Sequence, residues 1–140
     1  FLNPVEETTL TIPSTATKVI TVGAYDARFD QAAAFSGRGY TRATNQVKPD
    51  LVAPGVEIMS CAPGGGYQVR TGTSMATPFV TGSAALLMQW GIVNGNDAYL
   101  YGEKMKAYLI RGARKLPGFT AYPNPVLGWG ALCTANSIPR

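Results

Sequence analysis

Hydrophobic positions along the chain predict β-strands first and helices afterwards. Lys18 to Tyr25 is a β-branched apolar run without alternation, which is typical of a central strand covered on both faces of its sheet. Residues 49–62 predict two further short strands, because two apolar runs are bracketed there by Pro and Gly. The polar stretches 1–17 and 26–48 lack a sustained period, so we expect an irregular leading segment and a long surface loop.

The second half of the chain predicts two helices. Residues 74–90 are apolar nearly all round, as in a helix buried in a larger core, and the uninterrupted part falls short of the roughly 20 residues of a membrane span. Residues 102–116 predict an amphipathic helix with basic last turns, ended by Pro117 and Gly118. The Pro- and Gly-rich tail 119–140 contains a compact stretch, 127–132, that we expect to pack on the core.

Composition excludes several classes of protein. A length of 140 residues with 46% hydrophobic content suits one globular domain. The net charge of +4 is scattered except for a modest cluster at Arg111, Arg114 and Lys115, which a solvated helix end explains. A nucleic-acid surface concentrates more charge than this. We therefore expect neither a nucleic-acid nor a membrane partner.

The chain contains no histidine and two cysteines. The absence of histidine removes the commonest general base and metal ligand from any mechanism confined to this chain. Cys61 and Cys133 match no metal-binding spacing. One disulfide or two free thiols are both compatible with the sequence, and their apolar or small neighbours favour free thiols. We expect no metal and no cofactor.

Ser74 is the strongest candidate for chemistry. A nucleophilic serine needs an exposed hydroxyl, N–H donors for an oxyanion, and a base. Gly72 allows a sharp turn, and a serine at a helix start lies among unpaired N–H groups. Pro78 is expected in the first turn of the helix, where a missing N–H costs nothing. An ordinary N-cap role explains a serine in this position equally well.

Residues 72–78, Gly-Thr-Ser-Met-Ala-Thr-Pro, resemble the catalytic-serine motif of the subtilisin-like serine protease (subtilase) family. Residues 18–26 resemble the family's buried strand, 48–55 its Ala-Pro-Gly segment, and 127–130 its closing Gly-x-Gly turn. The resemblance implies an α/β fold: the C-terminal part of a subtilisin-like domain, with a three-layer, mostly parallel sheet and a buried nucleophile helix, incomplete in this chain. Residues 1–140 are expected to form that portion.

The resemblance also implies individual roles. Ser74 would be the nucleophile and its N–H an oxyanion donor, with the Thr73 hydroxyl as a secondary oxyanion contact. Thr11 and Ile12 align with the primary specificity pocket, although a plain loop explains that segment equally well. Phe79 replaces a structural histidine of many members. The family's catalytic Asp and His and its oxyanion Asn precede the residue at which this chain begins.

Three segments further resemble a subgroup that includes spore-germination proteases of Clostridium-like bacteria: 9–13, 101–111 and 122–125. In that subgroup, a β-rich domain is inserted ahead of the segment that 9–13 resembles, so we expect 1–17 to follow such an insert. The chain starts with Phe1 and shows no signal-peptide pattern. It is therefore expected to be part of a longer protein.

The implied function is a serine endopeptidase that hydrolyses peptide bonds through a Ser/His/Asp triad, of which only Ser74 lies in this chain. The isolated 140 residues are expected to be inactive. A pseudoprotease acting as a sensor or scaffold is the alternative, and upstream Asp and His motifs would distinguish the two. The partner would be a peptide or protein substrate. Exposed sheet edges also favour self-association or pairing with the missing N-terminal part.

Overall fold

The computed structural model describes residues 2–139, which fold as a small sheet carrying helices and a packed C-terminal tail. Seven strands are present in this part of the chain: β1 Val22–Asp26, β2 Gln31–Ala32, β3 Gly39–Tyr40, β4 Val47–Lys48, β5 Leu51–Pro54, β6 Ile58–Cys61 and β7 Tyr67–Arg70. They are followed by helix α1 Thr73–Met88, a π-helical turn Gln89–Val93, α2 Gly102–Gly112 and α3 Thr134–Ser137. The expected α/β class is confirmed.

The main sheet has the order β2-β1-β5, so β1 is the predicted central strand. β1 runs parallel to β5, with Val22 opposite Leu51, and antiparallel to β2. The tail extends the far side of β5, because Val52 donates its N–H to Gly130 at 2.9 Å and accepts from Leu132 at 2.8 Å. Strand pairing therefore joins residues that are almost eighty positions apart in sequence.

Alternation along β1 and β5 distributes their side chains between two apolar clusters, because successive residues of a strand point to opposite faces. Ala24, Leu51 and Ala53 pack with α1 and α2 in the larger cluster, which includes Leu87 and Leu109. On the other face, a smaller cluster joins the two strands to the tail: Tyr25, Val52, Leu116, Leu127 and Ala131. Both faces of the strand pair are thus covered, as the unbroken apolar run predicts.

Helix α1 is buried along one stripe only, formed by Ala76, Val80, Ser83 and Leu87. Apolar side chains on its remaining surface stay exposed, among them Phe79 at 42% and Leu86 at 52%. The sequence predicts burial in a larger core, and within residues 2–139 only this one stripe of α1 is covered. The uncovered face is apolar enough to need another layer, as in the three-layer architecture that the sequence implies.

Helical structure also continues further than predicted. The π-helical turn carries α1 to Val93, giving a stretch Thr73–Val93 of 21 residues that is long and apolar enough, by length and composition alone, to cross a membrane. The helix is thus longer than its uninterrupted apolar part, because polar residues such as Thr77, Thr81 and Ser83 interrupt the apolar sequence. Core helices of globular domains have a similar composition. The length of this helix therefore does not distinguish a core helix from a membrane span.

Three other predictions are corrected in detail. The loop 26–48 contains the two-residue strands β2, β3 and β4. Helix α2 ends at Gly112 rather than near residue 116, because Arg114 pairs with Ala131 through two main-chain hydrogen bonds of 2.7 and 2.8 Å. Both cysteines are free, yet Cys61 is exposed at the end of β6 rather than buried.

Gly128 provides a test of how the tail docks. It has φ +58, and a Cβ there would lie 2.1 Å from the Pro49 carbonyl oxygen, whereas Gly118 has φ +82 with open space around it. Gly118→Ala should cost about 1–2 kcal/mol for the left-handed backbone alone. Gly128→Ala should cost about 1–3 kcal/mol more, because the main chain must move. Urea denaturation of both variants measures the difference, and equal midpoints would contradict the tight docking.

Candidate active site

Ser74 lies just beyond the carboxyl ends of the parallel strands β1 and β5, the usual location of ligand sites in open α/β sheets. Gly55, which follows β5, donates its N–H to Tyr25 at 3.0 Å and accepts from Gly72 at 2.8 Å. A Cβ on Gly55 would lie 2.6 Å from that of Ala24 and 2.9 Å from the Gly72 carbonyl oxygen. The missing side chain thus lets the start of α1 approach the end of the sheet closely.

The side chain of Ser74 has the freedom that a nucleophile needs. Ser74 is the second residue of α1, and Gly72, not Ser74, occupies the N-cap position without any side-chain capping bond. Ser74 is exposed, and among residues 2–139 neither its hydroxyl nor its N–H has a hydrogen-bond partner. The N-cap explanation is therefore wrong. One unpaired N–H and the positive end of the helix dipole lie beside a free hydroxyl.

Pro78 is the sixth residue of α1 and not part of its first turn, which corrects the prediction from the sequence. Because proline has no N–H, it cannot donate the usual helical hydrogen bond to the carbonyl of Ser74. The Thr77 hydroxyl does bond the Thr73 carbonyl, at 3.0 Å. The carbonyl of Ser74 therefore lacks its usual intrahelical donor, whereas that of Thr73 accepts from the Thr77 side chain.

A cleft of about 460 Å³ opens beside Thr73, and only one of the two residues aligned with the specificity pocket, Thr11 and Ile12, lines it. Thr11 lines this cleft together with Thr73, and several other hydroxyl-bearing side chains share its wall, namely those of Ser14, Thr21 and Ser36. Ile12 is 89% exposed and does not line it. The structure therefore brings Thr11, but not Ile12, to the cleft that adjoins the Thr73–Ser74 pair.

A second, mainly apolar cleft of about 320 Å³ lies directly at Ser74. Met59 from β6 and Met75, Pro78 and Phe79 from α1 form most of its walls. Phe79, the residue in place of a family histidine, thus faces the same cleft as the candidate nucleophile. Ser74 is flanked by a cleft rich in hydroxyl groups on one side and an apolar cleft on the other.

The four aspartates of residues 2–139 are poor bases for Ser74, since each is held by a cationic side chain. Three of them have a lowered pKa because a cationic side chain hydrogen-bonds each: Asp26 from Arg28, Asp30 from Arg114 and Asp97 from Lys104. A lowered pKa makes a carboxylate a weaker base, the opposite of what general-base catalysis requires. The fourth, Asp50, is buried against two lysines.

Asp50 lies in a buried cluster of charged groups that the sequence pattern does not reveal. Asp50 is 4% exposed, and its carboxylate lies 2.7 Å from the ammonium groups of both Lys48 and Lys106. Burial lowers the pKa of Lys48, and the hydrogen bond to Asp50 opposes that shift. Lys48 and Asp50, directly before the buried apolar strand β5, were the only local signal of the cluster. Its third residue, Lys106, lies on α2 and is distant in sequence.

The fold and the motif together define a subtilisin-like α/β domain, and known proteins bear this out. The family model described as the Subtilase family matches residues 3–130. The serine protease AprX of Bacillus subtilis (strain 168) is 35% identical, over 94% of this chain and 32% of its own length. Subtilisin of Bacillus pumilus is 42% identical, over 57% of this chain and 26% of its own. The chain therefore belongs to the subtilase family.

Solved structures agree with this assignment. The structure of the Clostridium perfringens CspB protease is 48% identical with a TM-score of 0.92, covering 97% of this chain and 29% of that one. The prenylagaramide maturation protease PagA is 29% identical with a TM-score of 0.71, over 91% of this chain and 44% of that one. The chain thus spans about a third of AprX and less than a third of the CspB protease.

Gly55 tests the close approach that positions Ser74. Gly55→Ala should destabilise the protein by about 1–3 kcal/mol, because its Cβ has no room between β1 and α1. Gly82→Ala is the matched control in α1, since a Cβ there would meet no described atom within 4 Å apart from its chain neighbours and the adjoining helix backbone. The control should be neutral or stabilising by up to about 1 kcal/mol. Thermal unfolding of both variants gives the comparison, and a Gly55 variant as stable as the control would refute the constraint.

Proposed function

We propose that this chain is the nucleophile-bearing part of a serine endopeptidase that hydrolyses peptide bonds in a peptide or protein substrate. The observation that carries the proposal is the free, exposed hydroxyl of Ser74 at the start of α1, inside a subtilase motif. The hydroxyl oxygen attacks the substrate carbonyl, the peptide C–N bond breaks, and the departing amine takes up the serine proton through the base. Water then hydrolyses the ester of the acyl-enzyme and regenerates the hydroxyl. The unpaired N–H of Ser74 and the Thr73 hydroxyl stabilise the oxyanion.

The remaining groups of the site come from outside this chain. With no histidine in the sequence and its aspartates held by cations, the proton of Ser74 needs a base from another part of the protein. A His oriented by an Asp completes such a site in the Ser/His/Asp arrangement. The 140 residues by themselves should then be inactive as a protease, since losing triad partners removes most of the rate enhancement.

A fluorophosphonate probe tests the nucleophile in the complete protein. The probe should label wild-type protein at Ser74, and Ser74→Ala should abolish both labelling and peptide hydrolysis. Ser60→Ala is the matched control, because Ser60 is an exposed serine that lines the same apolar cleft. It should retain labelling within about twofold, because it contributes no group to acyl transfer. Mass spectrometry of the labelled peptides locates the probe.

Absence of label from Ser74 in the wild-type protein would refute the nucleophile assignment. A labelled Ser74 without peptide hydrolysis would favour the alternative role as a sensor or scaffold. That outcome is specific, because the probe reports an activated serine whereas hydrolysis requires the whole sequence of acylation and deacylation steps.

The uncovered face of α1 supports pairing with the rest of the domain. The described chain exposes 8600 Å², whereas a compact monomer of this mass exposes about 7,000 Å². Phe79 and Leu86 contribute large exposed apolar area on α1. We therefore interpret Thr73–Val93 as the core helix of a larger domain and not as a membrane span, because its opposite stripe packs on the sheet.

Without that covering layer, the isolated chain should self-associate. Light scattering should show an apparent mass that rises with concentration, because apolar surface of this kind pairs with another copy. Phe79→Glu should reduce the effect, whereas Val5→Glu in the leading segment should not, although Val5 is 70% exposed. A constant monomeric mass at all concentrations would contradict the interpretation of this face.

A further inference from the structure

The buried carboxylate of Asp50 connects three separate parts of the chain. Its Oδ2 accepts hydrogen bonds from the Lys48 ammonium and from the N–H of Thr21, both at 2.7 Å. Its Oδ1 lies 2.7 Å from the ammonium of Lys106, which belongs to α2. The side chains of Asp50 and Lys48 are 5% and 2% exposed, and that of Lys106 is 17% exposed. Helix α2 is thereby tied to the start of β5.

The two ammonium groups also bind the backbone that precedes β1. Lys48 donates to the Val19 carbonyl at 3.0 Å, and Lys106 donates to the carbonyls of Thr17 and Val19, both at 3.2 Å. Lys106 is therefore bound at once to a buried carboxylate and to two main-chain oxygens. Charge-assisted hydrogen bonds of this kind are about twice as strong as neutral ones.

This backbone continues into the wall of the cleft beside Thr73. The Thr21 hydroxyl donates to the Ser14 carbonyl at 2.5 Å, and the Ser14 N–H donates to the Thr11 carbonyl at 2.9 Å. Thr11, Ser14 and Thr21 all line that cleft. A continuous series of hydrogen bonds therefore runs from the ammonium of Lys106 through Asp50 to the segment that forms one side of the cleft.

We propose that Lys106 is a positioning residue for substrate binding, which holds the cleft wall 11–21 in place through Asp50 and the carbonyls of Thr17 and Val19. The inference rests on the proposed peptidase function and extends it to a helix remote from the nucleophile. Lys106 does not line the cleft, so its effect reaches substrate only through this wall. The affinity for a substrate that binds along this wall then depends on α2, which carries Lys106, as well as on α1, which carries Ser74.

Removing Lys106 leaves the buried pair intact. Two lysines share one carboxylate, so the cluster carries one excess positive charge. Lys106→Met removes that charge, and Lys48 still pairs with Asp50. Burial lowers the pKa of Lys48, and the neighbouring charge of Lys106 adds to that shift. The variant thus leaves no unpaired buried charge, the condition that makes broken buried ion pairs strongly destabilising. Lys48 itself is unsuitable for the test, because its loss would remove the more deeply buried of the two cations that pair with Asp50.

The experiment compares three variants of the complete protein that contains this chain. Lys106→Met removes the donor, and Lys106→Arg retains a cation with several donors. Lys104→Met is the matched control on the same helix, because within residues 2–139 Lys104 pairs only with Asp97, at 2.6 Å, and lies outside the cluster. KM and kcat for a peptide substrate, the rate of fluorophosphonate labelling at Ser74, and amide hydrogen exchange over residues 11–21 are measured for each.

Lys106→Met should raise KM about tenfold with kcat changed less than about twofold, because binding common to ground and transition states is lost. Its labelling rate should stay at the wild-type value, since the small probe does not need the cleft wall. Exchange over 11–21 should become faster. Lys106→Arg should restore KM and slow exchange, and Lys104→Met should match wild type in all three measurements.

Unchanged KM and unchanged exchange in Lys106→Met would overturn the inference. A parallel fall of kcat, labelling and the unfolding temperature would overturn it too, because that pattern marks a general structural role. Failure of the wild-type protein to label at Ser74 would refute the proposed function itself and the positioning role with it. A labelled wild type with a normal KM in Lys106→Met refutes only the positioning role.

Discussion

The close contact between Gly55 and Gly72 is the constraint on which the rest of the site depends. Parallel pairing of β1 with β5 places Gly55 at the carboxyl end of the sheet, and its hydrogen bonds to Tyr25 and Gly72 then fix where α1 begins. The same contact sets where Ser74 stands, exposed at the start of α1 and lining the apolar cleft, next to Thr73, which lines the other cleft. A side chain at position 55 would separate the helix from the strands that aim it.

Local patterns predicted those elements whose cause is local. The β-branched run before Asp26 and the apolar run after Gly72 predicted β1 and α1, and the motif 72–78 indicated Ser74 as the candidate nucleophile. Features set by contacts between distant residues could not be read in the same way. The end of α2 depends on Arg114 meeting Ala131, and the Asp50 cluster joins residues that are 29 and 56 positions away from it along the chain.

Pro78 and Ile12 illustrate two further limits of reasoning from the sequence. The position of a proline within a helix is known only when the first residue is known, and α1 begins at Thr73, before the serine taken as its start. Thr11 and Ile12 are adjacent, yet only Thr11 reaches the cleft, since neighbouring side chains of an irregular segment point in different directions. Alignment with a family can indicate a segment, but not which of its side chains faces a ligand.

The one-sided burial of α1 has a consequence for how substitutions in this helix are tolerated. Ala76, Val80 and Leu87 are constrained by the sheet within this chain, so changes there act on its own stability. Phe79 and Leu86 have no such constraint here, although they are as apolar as a core. Substitutions on the two faces of α1 therefore act differently: those in the buried stripe change the stability of this chain, and those on the exposed face would act only on the pairing proposed for that face.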